Sequence, residues 1–203
     1  MSTPWVLDVL KQAGISATFF VIGRKVERYP DLVRRIADEG HTLAIHSYEH
    51  QLGYSFLSPR HVEADILRCK RLLADCDVAC SAYFRPPVGQ VSPRTSRGIQ
   101  AADVRLIGWS VRGGDGVKRR TASACLARVC AGVKPGAIVL LHDAWQGRSL
   151  HDVPGILELS AKEQLELAPA GVRALPQILT QLKELGYQCV PLHQLLGSHN
   201  HLS

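Results

Sequence analysis

Short runs of apolar residues alternate with segments of helical periodicity along this sequence. Residues 17–22 form a continuous β-branched and aromatic run, which is typical of a strand covered on both faces. Residues 4–13 place apolar side chains at helical spacing and end at Gly14, a residue suited to helix C-termini. Because such segments alternate throughout, the sequence predicts an α/β fold with parallel strands and outer helices, open or closed into a barrel.

The predicted elements follow one another with mostly short connections. Strands are expected at residues 17–22, 42–45, 82–84, 104–109, 137–141 and 187–190, and helices at residues 4–13, 30–39, 59–74, 93–101, 121–131 and 172–185. Residues 144–171 form one long irregular stretch, and stretches of that length in compact domains are usually functional or mobile. The sequence has no linker composition, so we predict a single domain over residues 1–203.

The composition limits the classes of function. A net charge of +6 without interleaved aromatic and basic residues predicts no nucleic-acid surface. No apolar segment approaches the roughly 20 residues of a membrane span, and the first residues lack a signal-peptide pattern. As written, the chain is expected to be cytoplasmic, with a cell-envelope or secreted location if the true start lies upstream. The six cysteines form no CxxC pair, which favours free thiols in a reducing compartment.

His46 and His50 are the first candidate functional residues. They stand four positions apart, directly after an apolar run, and on one helical turn both imidazoles would reach one cation. The alternative is two ordinary surface histidines in a sequence that has nine. The same segment also fits H-x-x-E-H, the inverted zinc-protease motif, but that motif needs one long helix. Ile45 before it and Gly53 after it leave hardly more than one turn.

Polar residues also follow other predicted strands. Arg85 begins the run Arg-Pro-Pro-Val-Gly, Asp115 lies shortly after Trp109, and His142 follows Leu141. Each cluster alone has an ordinary explanation, such as a surface ion pair, a glycine-rich turn or a solvated loop. In parallel α/β architectures, however, ligands bind at the carboxyl ends of the strands. The sequence therefore predicts a ligand site at these strand ends.

These segments together resemble a known family. His-Ser-Tyr-Glu-His at 46–50, Phe-Arg-Pro-Pro-Val-Gly at 84–89, the segment from Trp109 to Asp115 and Leu-Leu-His-Asp at 140–143 follow a recognisable order and spacing. They are similar to motifs two to five of the polysaccharide deacetylase (NodB homology) family, also called carbohydrate esterase family 4. The resemblance covers nearly the whole chain. It implies a distorted, incomplete (β/α) barrel with parallel strands and metal-dependent removal of N-linked or O-linked acetyl groups from sugars.

The resemblance also implies catalytic and metal-binding roles. It assigns metal binding to His46 and His50, with zinc expected and cobalt, nickel or manganese as alternatives. It makes His142 the general acid that protonates the leaving amine, held in place by Asp115. It gives Arg85 the task of orienting a base carboxylate, for which the rigid fork of guanidinium donors is suited.

Substrate contacts are implied at three further positions. Val88 stands where the family often has tyrosine, and its backbone N–H would help hold the developing oxyanion. Trp109 and Leu141 would help to wall the acetyl pocket. Gly116 stands where a tryptophan usually follows Asp115, which removes one wall of that pocket.

One family motif has no counterpart in this sequence. It is an Asp-Asp pair at the end of the first strand, which supplies the catalytic base and the third metal ligand, so we expect the first strand to be missing. Two imidazoles fall short of the three protein ligands of a catalytic zinc site. Loss of the base would forfeit general-base assistance of roughly 10²–10⁴-fold. Glu49, Asp143 or a carboxylate within residues 144–171 are candidate replacements, and nothing in the sequence selects one.

We therefore expect a chain truncated at its start, from a metal-dependent deacetylase of acetylated amino sugars, oligosaccharides or polysaccharides. One alternative is a catalytically impaired family member that acts as a carbohydrate-binding or interaction protein. Another is an enzyme with a rearranged site. The sequence selects neither a substrate among these sugars nor an oligomeric state, and it predicts no nucleic-acid partner and no transmembrane segment.

Overall fold

The strands pair in parallel, as the alternating pattern predicts. A computed structural model describes residues 2–116, 119–144 and 160–197. The chain divides into a first unit, Ser16–Gly108, and a second unit formed by Met1–Ile15 together with Trp109–Ser203. The single domain expected over residues 1–203 stays a prediction.

Helices and strands alternate along the described chain. In chain order the elements are α1 (Ser2–Ala13), β1 (Thr18–Val21), α2 (Gly23–Arg28), α3 (Pro30–Asp38), β2 (Thr42–Ile45), α4 (Pro59–Ala74), β3 (Cys80–Phe84), α5 (Pro93–Ala101), β4 (Arg105–Leu106), β5 (Val111–Arg112), α6 (Ala122–Gly132), β6 (Val139–Leu140), α7 (Ala161–Glu166), α8 (Ala170–Glu184) and α9 (Leu192–Gly197). Short 3₁₀ turns lie at Tyr54–Phe56 and Pro87–Gly89. Among the described helices, none is both long and apolar enough to cross a membrane.

The sheet of the first unit has the order β1-β2-β3-β4, with every neighbouring pair parallel. Thr18 lies opposite Thr42, and Ile45 lies opposite Phe84. Strands added in sequence order are typical of (β/α) barrels, whereas the order reverses in doubly wound sheets. In the second unit β5 pairs with β6, again in parallel. The predicted α/β fold with parallel strands is confirmed.

Helix α4 shows how local sequence sets an element of the first unit. The Ser58 hydroxyl accepts a hydrogen bond from the His61 backbone N–H at 3.3 Å, and Pro59 occupies the first helical position. Val62, Ile66 and Leu73 recur on one face and are fully buried. The hydroxyl cap and the apolar stripe explain why the predicted bounds of this helix agree with the structure.

Two sequence predictions about the second unit need correction. Residues 187–190 pair with no strand among the described residues. The apolar alternation that predicted a strand here instead reflects side-chain packing, since Tyr187 and Cys189 pack against the core around Cys125. The stretch predicted as irregular, residues 144–171, contains helix α7 and the start of α8, and its residues 145–159 lie outside the described part of the chain. The short elements α2 and β5 were not predicted from the sequence.

All six cysteines are free, in agreement with the predicted thiols. Burial raises the pKa of Cys69 to about 12 and that of Cys125 to about 11. Such thiols hold their protons at neutral pH and are poor nucleophiles. These two cysteines therefore serve as small apolar side chains in the cores of their units.

His41 makes the stability of the first unit dependent on pH. Its ring is 8% exposed, its Nδ1 accepts the Ala17 backbone N–H at 3.2 Å, and its Nε2 is buried without a hydrogen-bond partner among the described residues. Burial lowers the pKa of His41 below its ordinary 6.5, and the Glu39 charge opposes this shift. Below about pH 6.5, His41 therefore binds a proton more readily in the unfolded chain than in the folded chain, and this difference lowers the free energy of unfolding.

We expect the urea midpoint of unfolding to fall as the pH is lowered from 7.5 to 5, with the contribution of His41 fully present above pH 6.5. His41→Phe removes the titrating group and should flatten this part of the profile. His61→Phe, at an exposed histidine of the same unit, is the matched control and should leave the profile unchanged. An equally steep profile for His41→Phe would contradict the assignment.

Candidate active site

The loop that bears His46 and His50 is not helical. Residues 46–50, the histidine loop, form a bend directly after β2, and Ser47 and His50 have left-handed backbone angles, with φ of 78° and 57°. The expected helical turn is therefore wrong, and so is the long helix that an inverted zinc-protease motif would need. Left-handed residues other than glycine are uncommon and point to a functional or tightly held segment.

The loop nevertheless brings the two imidazoles together. The ring centroids of His46 and His50 are 4.9 Å apart, with 61° between the ring planes. His46 Nδ1 lies 2.5 Å from the backbone carbonyl oxygen of Arg85. Because a carbonyl only accepts, His46 donates from Nδ1, which leaves the lone pair on Nε2. This orientation of one imidazole by a backbone carbonyl is usual for metal-binding histidines.

The donor set agrees with a zinc site in ligand type but not in number. Imidazole nitrogen is a preferred zinc ligand, and catalytic zinc sites have three protein ligands. Within residues 2–116, 119–144 and 160–197, no three His, Cys, Asp or Glu side chains are grouped closely enough to hold a metal ion. Within the first unit, Glu49, one of the suggested replacements, is therefore not joined to His46 and His50 in such a group.

Arg85 is buried beside the histidine loop. Its Nε donates to the carbonyl of Ile107 at 3.1 Å and one terminal nitrogen donates to the carbonyl of Gly108 at 2.8 Å. The guanidinium lies 4.0 Å from the centroid of the Phe20 ring, a cation–π arrangement. Burial lowers the pKa of Arg85 to about 10, so the group remains cationic at neutral pH. Its predicted action on a base carboxylate stays a prediction.

Val88 follows Arg85 in a strained conformation. Its φ is 60° and its side chain is 52% exposed. A β-branched residue in the left-handed region is a conformational outlier, and such outliers concentrate at binding and catalytic sites. The strain agrees with a functional role for the backbone of Val88.

In the second unit, Asp115 and His142 form a hydrogen-bonded pair. Asp115 is 0% exposed, and its two carboxylate oxygens accept the His142 backbone N–H at 2.7 Å and the His142 Nδ1–H at 3.0 Å. The His142 side chain is 41% exposed. A buried carboxylate thus fixes the ring orientation and leaves Nε2 of a half-exposed imidazole for proton transfer, as in other acid–base pairs.

Gly171, in the first turn of α8, lies directly against this pair. A Cβ atom at Gly171 would overlap Asp115 Oδ2 and would lie 3.2 Å from a methyl group of Leu141. The positive end of the α8 dipole also favours a carboxylate at this position. Gly171 was not predicted as a site residue, because a glycine at the start of a helix gives no local sign of a distant aspartate.

Three other predicted residues have more ordinary surroundings in the second unit. Leu141 packs against the core around Cys125, and Trp109 is partly buried. Asp143 Oδ2 accepts a hydrogen bond from the Thr3 hydroxyl at 2.5 Å. This bond ties Asp143 to the first turn of α1.

Comparisons with known proteins support one family. The family model of the polysaccharide deacetylase domain matches residues 1–107. A chitooligosaccharide deacetylase from Bradyrhizobium sp. (strain ANU 289) is 34% identical over 197 residues, which cover 95% of this chain and 84% of the relative. The chain belongs to the polysaccharide deacetylase family. The peptidoglycan-N-acetylglucosamine deacetylase PgdA of Listeria monocytogenes is also 34% identical, over 96% of this chain and 36% of its own length.

A solved structure of the same family shows that the deacetylase fold also occurs without activity. A carbohydrate esterase family 4 pseudoenzyme from Bacillus anthracis superposes with a TM-score of 0.77 and 26% identity, over 96% of this chain and 60% of that chain. A mutant of that pseudoenzyme has restored enzymatic activity and superposes with a TM-score of 0.76 at 27% identity. Membership of the polysaccharide deacetylase family therefore does not by itself establish catalysis.

This polysaccharide deacetylase family member departs from the expected pattern beside His142. A Cβ atom at Gly116 would lie 3.6 Å from the His142 ring, in ordinary contact. A larger side chain at position 116 would therefore extend from a point beside the imidazole. Glycine at this position leaves the ring uncovered on that side, which agrees with the partial exposure of His142.

Proposed function

We propose that this chain is a metal-dependent deacetylase that hydrolyses N-acetyl groups of amino sugars within oligosaccharides or polysaccharides. The observation that carries the proposal is the hydrogen-bonded pair of buried Asp115 and half-exposed His142. Family membership supports the reaction class, and the named activities of the relatives support an N-acetylated glycan as substrate. Removal of O-acetyl groups would use the same residues.

His142 acts as the general acid in this proposal. Its Nδ1–H donates to Asp115, so a proton carried on Nε2 is available to the leaving amine nitrogen. Asp115 fixes the orientation of the ring, because its two oxygens accept the Nδ1–H and the backbone N–H of His142. The pair thereby accelerates cleavage of the bond between the acetyl carbon and the nitrogen. Without protonation, the amine would have to depart as an anion, which is a poor leaving group.

His46 and His50 hold the metal ion in this proposal. At these two histidines a zinc ion, or cobalt, nickel or manganese in its place, would supply Lewis-acid polarisation of the acetyl carbonyl and activation of water. The carbonyl of Arg85 keeps His46 in the tautomer that has its lone pair on Nε2. The Arg85 side chain, bonded to the carbonyls of Ile107 and Gly108, keeps this segment in place.

The remaining residues contact the substrate in this proposal. Val88 presents its backbone N–H to the oxyanion. Its left-handed backbone conformation, which valine rarely adopts, supports a specific orientation of this N–H. Trp109 and Leu141 border the acetyl group. The absence of a side chain at Gly116 leaves more room beside His142 for the sugar or its neighbours.

A second candidate is a non-catalytic carbohydrate-binding protein. Two observations favour it. The described residues bring together two histidines rather than the three ligands of a catalytic zinc site, and one structural relative is a pseudoenzyme. This candidate predicts saccharide binding that is independent of metal and is not followed by acetate release.

The two candidates are separated by acetate release from N-acetylglucosamine oligomers. We expect the chain loaded with zinc or cobalt to release acetate, a chelator to abolish the release, and renewed zinc to restore it. Chelation should leave the melting temperature of the protein largely unchanged, which separates loss of the metal from loss of the fold. Oligosaccharide binding without acetate under all metal conditions would reject the deacetylase in favour of the binding protein.

A further inference from the structure

We propose that Asp65, on α4, is a positioning residue that holds His46 and His50 together through the backbone of Tyr48. This inference rests on the proposed metal-binding role of the two histidines. Asp65 lies 17 residues after Tyr48 in the chain and belongs to none of the motifs identified in the sequence. Its contacts explain how a loop of unfavourable conformation keeps two imidazoles in contact.

The histidine loop needs an external support. Ser47 and His50 both have positive φ, a region that disfavours residues with a Cβ atom. One contact lies within the loop, where the Ser47 hydroxyl accepts the His50 backbone N–H at 3.0 Å. Without further contacts from the body of the first unit, such a loop would relax toward ordinary backbone angles and separate the rings.

Asp65 supplies the support from α4. Its carboxylate oxygens accept the Tyr48 backbone N–H at 3.1 and 3.3 Å, and Oδ2 also accepts the Tyr54 hydroxyl at 3.1 Å. Tyr54 is 0% exposed, so its hydroxyl is a second hydrogen-bond donor to the carboxylate inside the unit. Burial raises the pKa of Asp65, and the hydrogen bonds from the Tyr48 backbone N–H and the Tyr54 hydroxyl oppose this shift.

Helix α2 holds the same peptide from the other side. The backbone N–H groups of Gly23 and Arg24 donate to the carbonyls of Ser47 and Tyr48, each at 3.0 Å. A Cβ atom at Gly23 would lie 2.7 Å from the Tyr48 ring, so glycine is needed for this approach. The peptide of Tyr48 is therefore bonded at its N–H by α4 and at its carbonyl by α2.

The Tyr48 side chain adds a third attachment. Its hydroxyl donates to Glu27 at 2.8 Å, and the Arg68 guanidinium lies 3.4 Å from the ring centroid. Tyr48 stands between the two histidines in the chain, so fixing it restricts the residues on both sides. A metal site with two protein ligands depends strongly on such preorganisation, because the metal affinity falls when the two rings are no longer held close together.

The test compares Asp65→Ala with two matched variants. Asp65→Asn retains an acceptor oxygen for the Tyr48 N–H, and Tyr54→Phe removes the other hydrogen bond to the carboxylate without altering the loop. In the metal-free protein, nuclear Overhauser contacts between the His46 and His50 rings should be present in the wild type, Asp65→Asn and Tyr54→Phe. They should be lost in Asp65→Ala. In cobalt titrations followed by visible absorption, Asp65→Ala should bind about tenfold more weakly, and the other variants should stay close to the wild type.

Ring contacts and cobalt affinity that survive in folded Asp65→Ala would overturn the inference. Circular dichroism verifies the fold. If Asp65→Ala does not fold, Asp65→Ser takes its place, since its hydroxyl can serve the Tyr54 hydroxyl but is too short to reach the Tyr48 amide. A wild type that shows ring contacts yet binds no cobalt would reject the proposed metal site, while the ring contacts in the variants would still decide the role of Asp65.

Discussion

His142→Ala should lower the rate of acetate release by about 10²–10⁴-fold, the usual contribution of a general acid. The variant retains both histidines of the proposed metal site, so its cobalt affinity should equal that of the wild type. The fold should also persist, because the His142 side chain is 41% exposed and fills no core position. The measurement is the initial rate of acetate release from N-acetylglucosamine oligomers at saturating zinc.

His193→Ala is the matched control for this prediction. His193 is an exposed histidine of α9 in the same unit, so the substitution makes the same chemical change at a residue that has no role in the proposed mechanism. Its rate should stay within a factor of about two of the wild type. A His142→Ala rate that falls no further than that of the control would remove His142 from the mechanism and leave Asp115 with a structural role alone.

Much of the first unit was predictable because its signals are local. The Ser58 cap, the proline after it and the apolar stripe of α4 lie within one segment and define the helix without knowledge of its partners. The strand at residues 42–45 was predicted at the observed bounds for the same reason, as a short apolar run between Gly40 and His46. The positions of the candidate site residues follow from such strands, since each lies shortly after one.

The conformation of the site residues was not predictable from local signals. The histidine loop is shaped by the carbonyl of Arg85, 39 residues away, and by the Asp65 carboxylate, so the four-residue spacing of His46 and His50 wrongly indicated a helical turn. The left-handed conformation of Val88 is equally invisible in the sequence, because valine disfavours it. Tertiary contacts determined the backbone at each of these positions.

Gly171→Ala should lower acetate release by about 10²-fold or more although Gly171 touches no substrate in the proposed mechanism. The new methyl group would overlap Asp115 Oδ2 and would lie 3.0 Å from the carboxylate carbon. Asp115 is 0% exposed and cannot move into solvent, so its hydrogen bonds to the backbone N–H and Nδ1 of His142 must be displaced. Loss of the ring orientation should then lower the rate to nearly that of His142→Ala.

Stability should respond to Gly171→Ala in the same direction. Overpacking in a filled site costs about 1–3 kcal/mol, against which alanine regains up to about 1 kcal/mol of helix propensity. Gly132→Ala in α6 is the matched control, because its Cβ would meet Val111 at an ordinary 3.4 Å. It should leave acetate release unchanged and the urea midpoint equal or higher. Full activity in folded Gly171→Ala would mean that Asp115 tolerates displacement, and the orientation of His142 would then need another support.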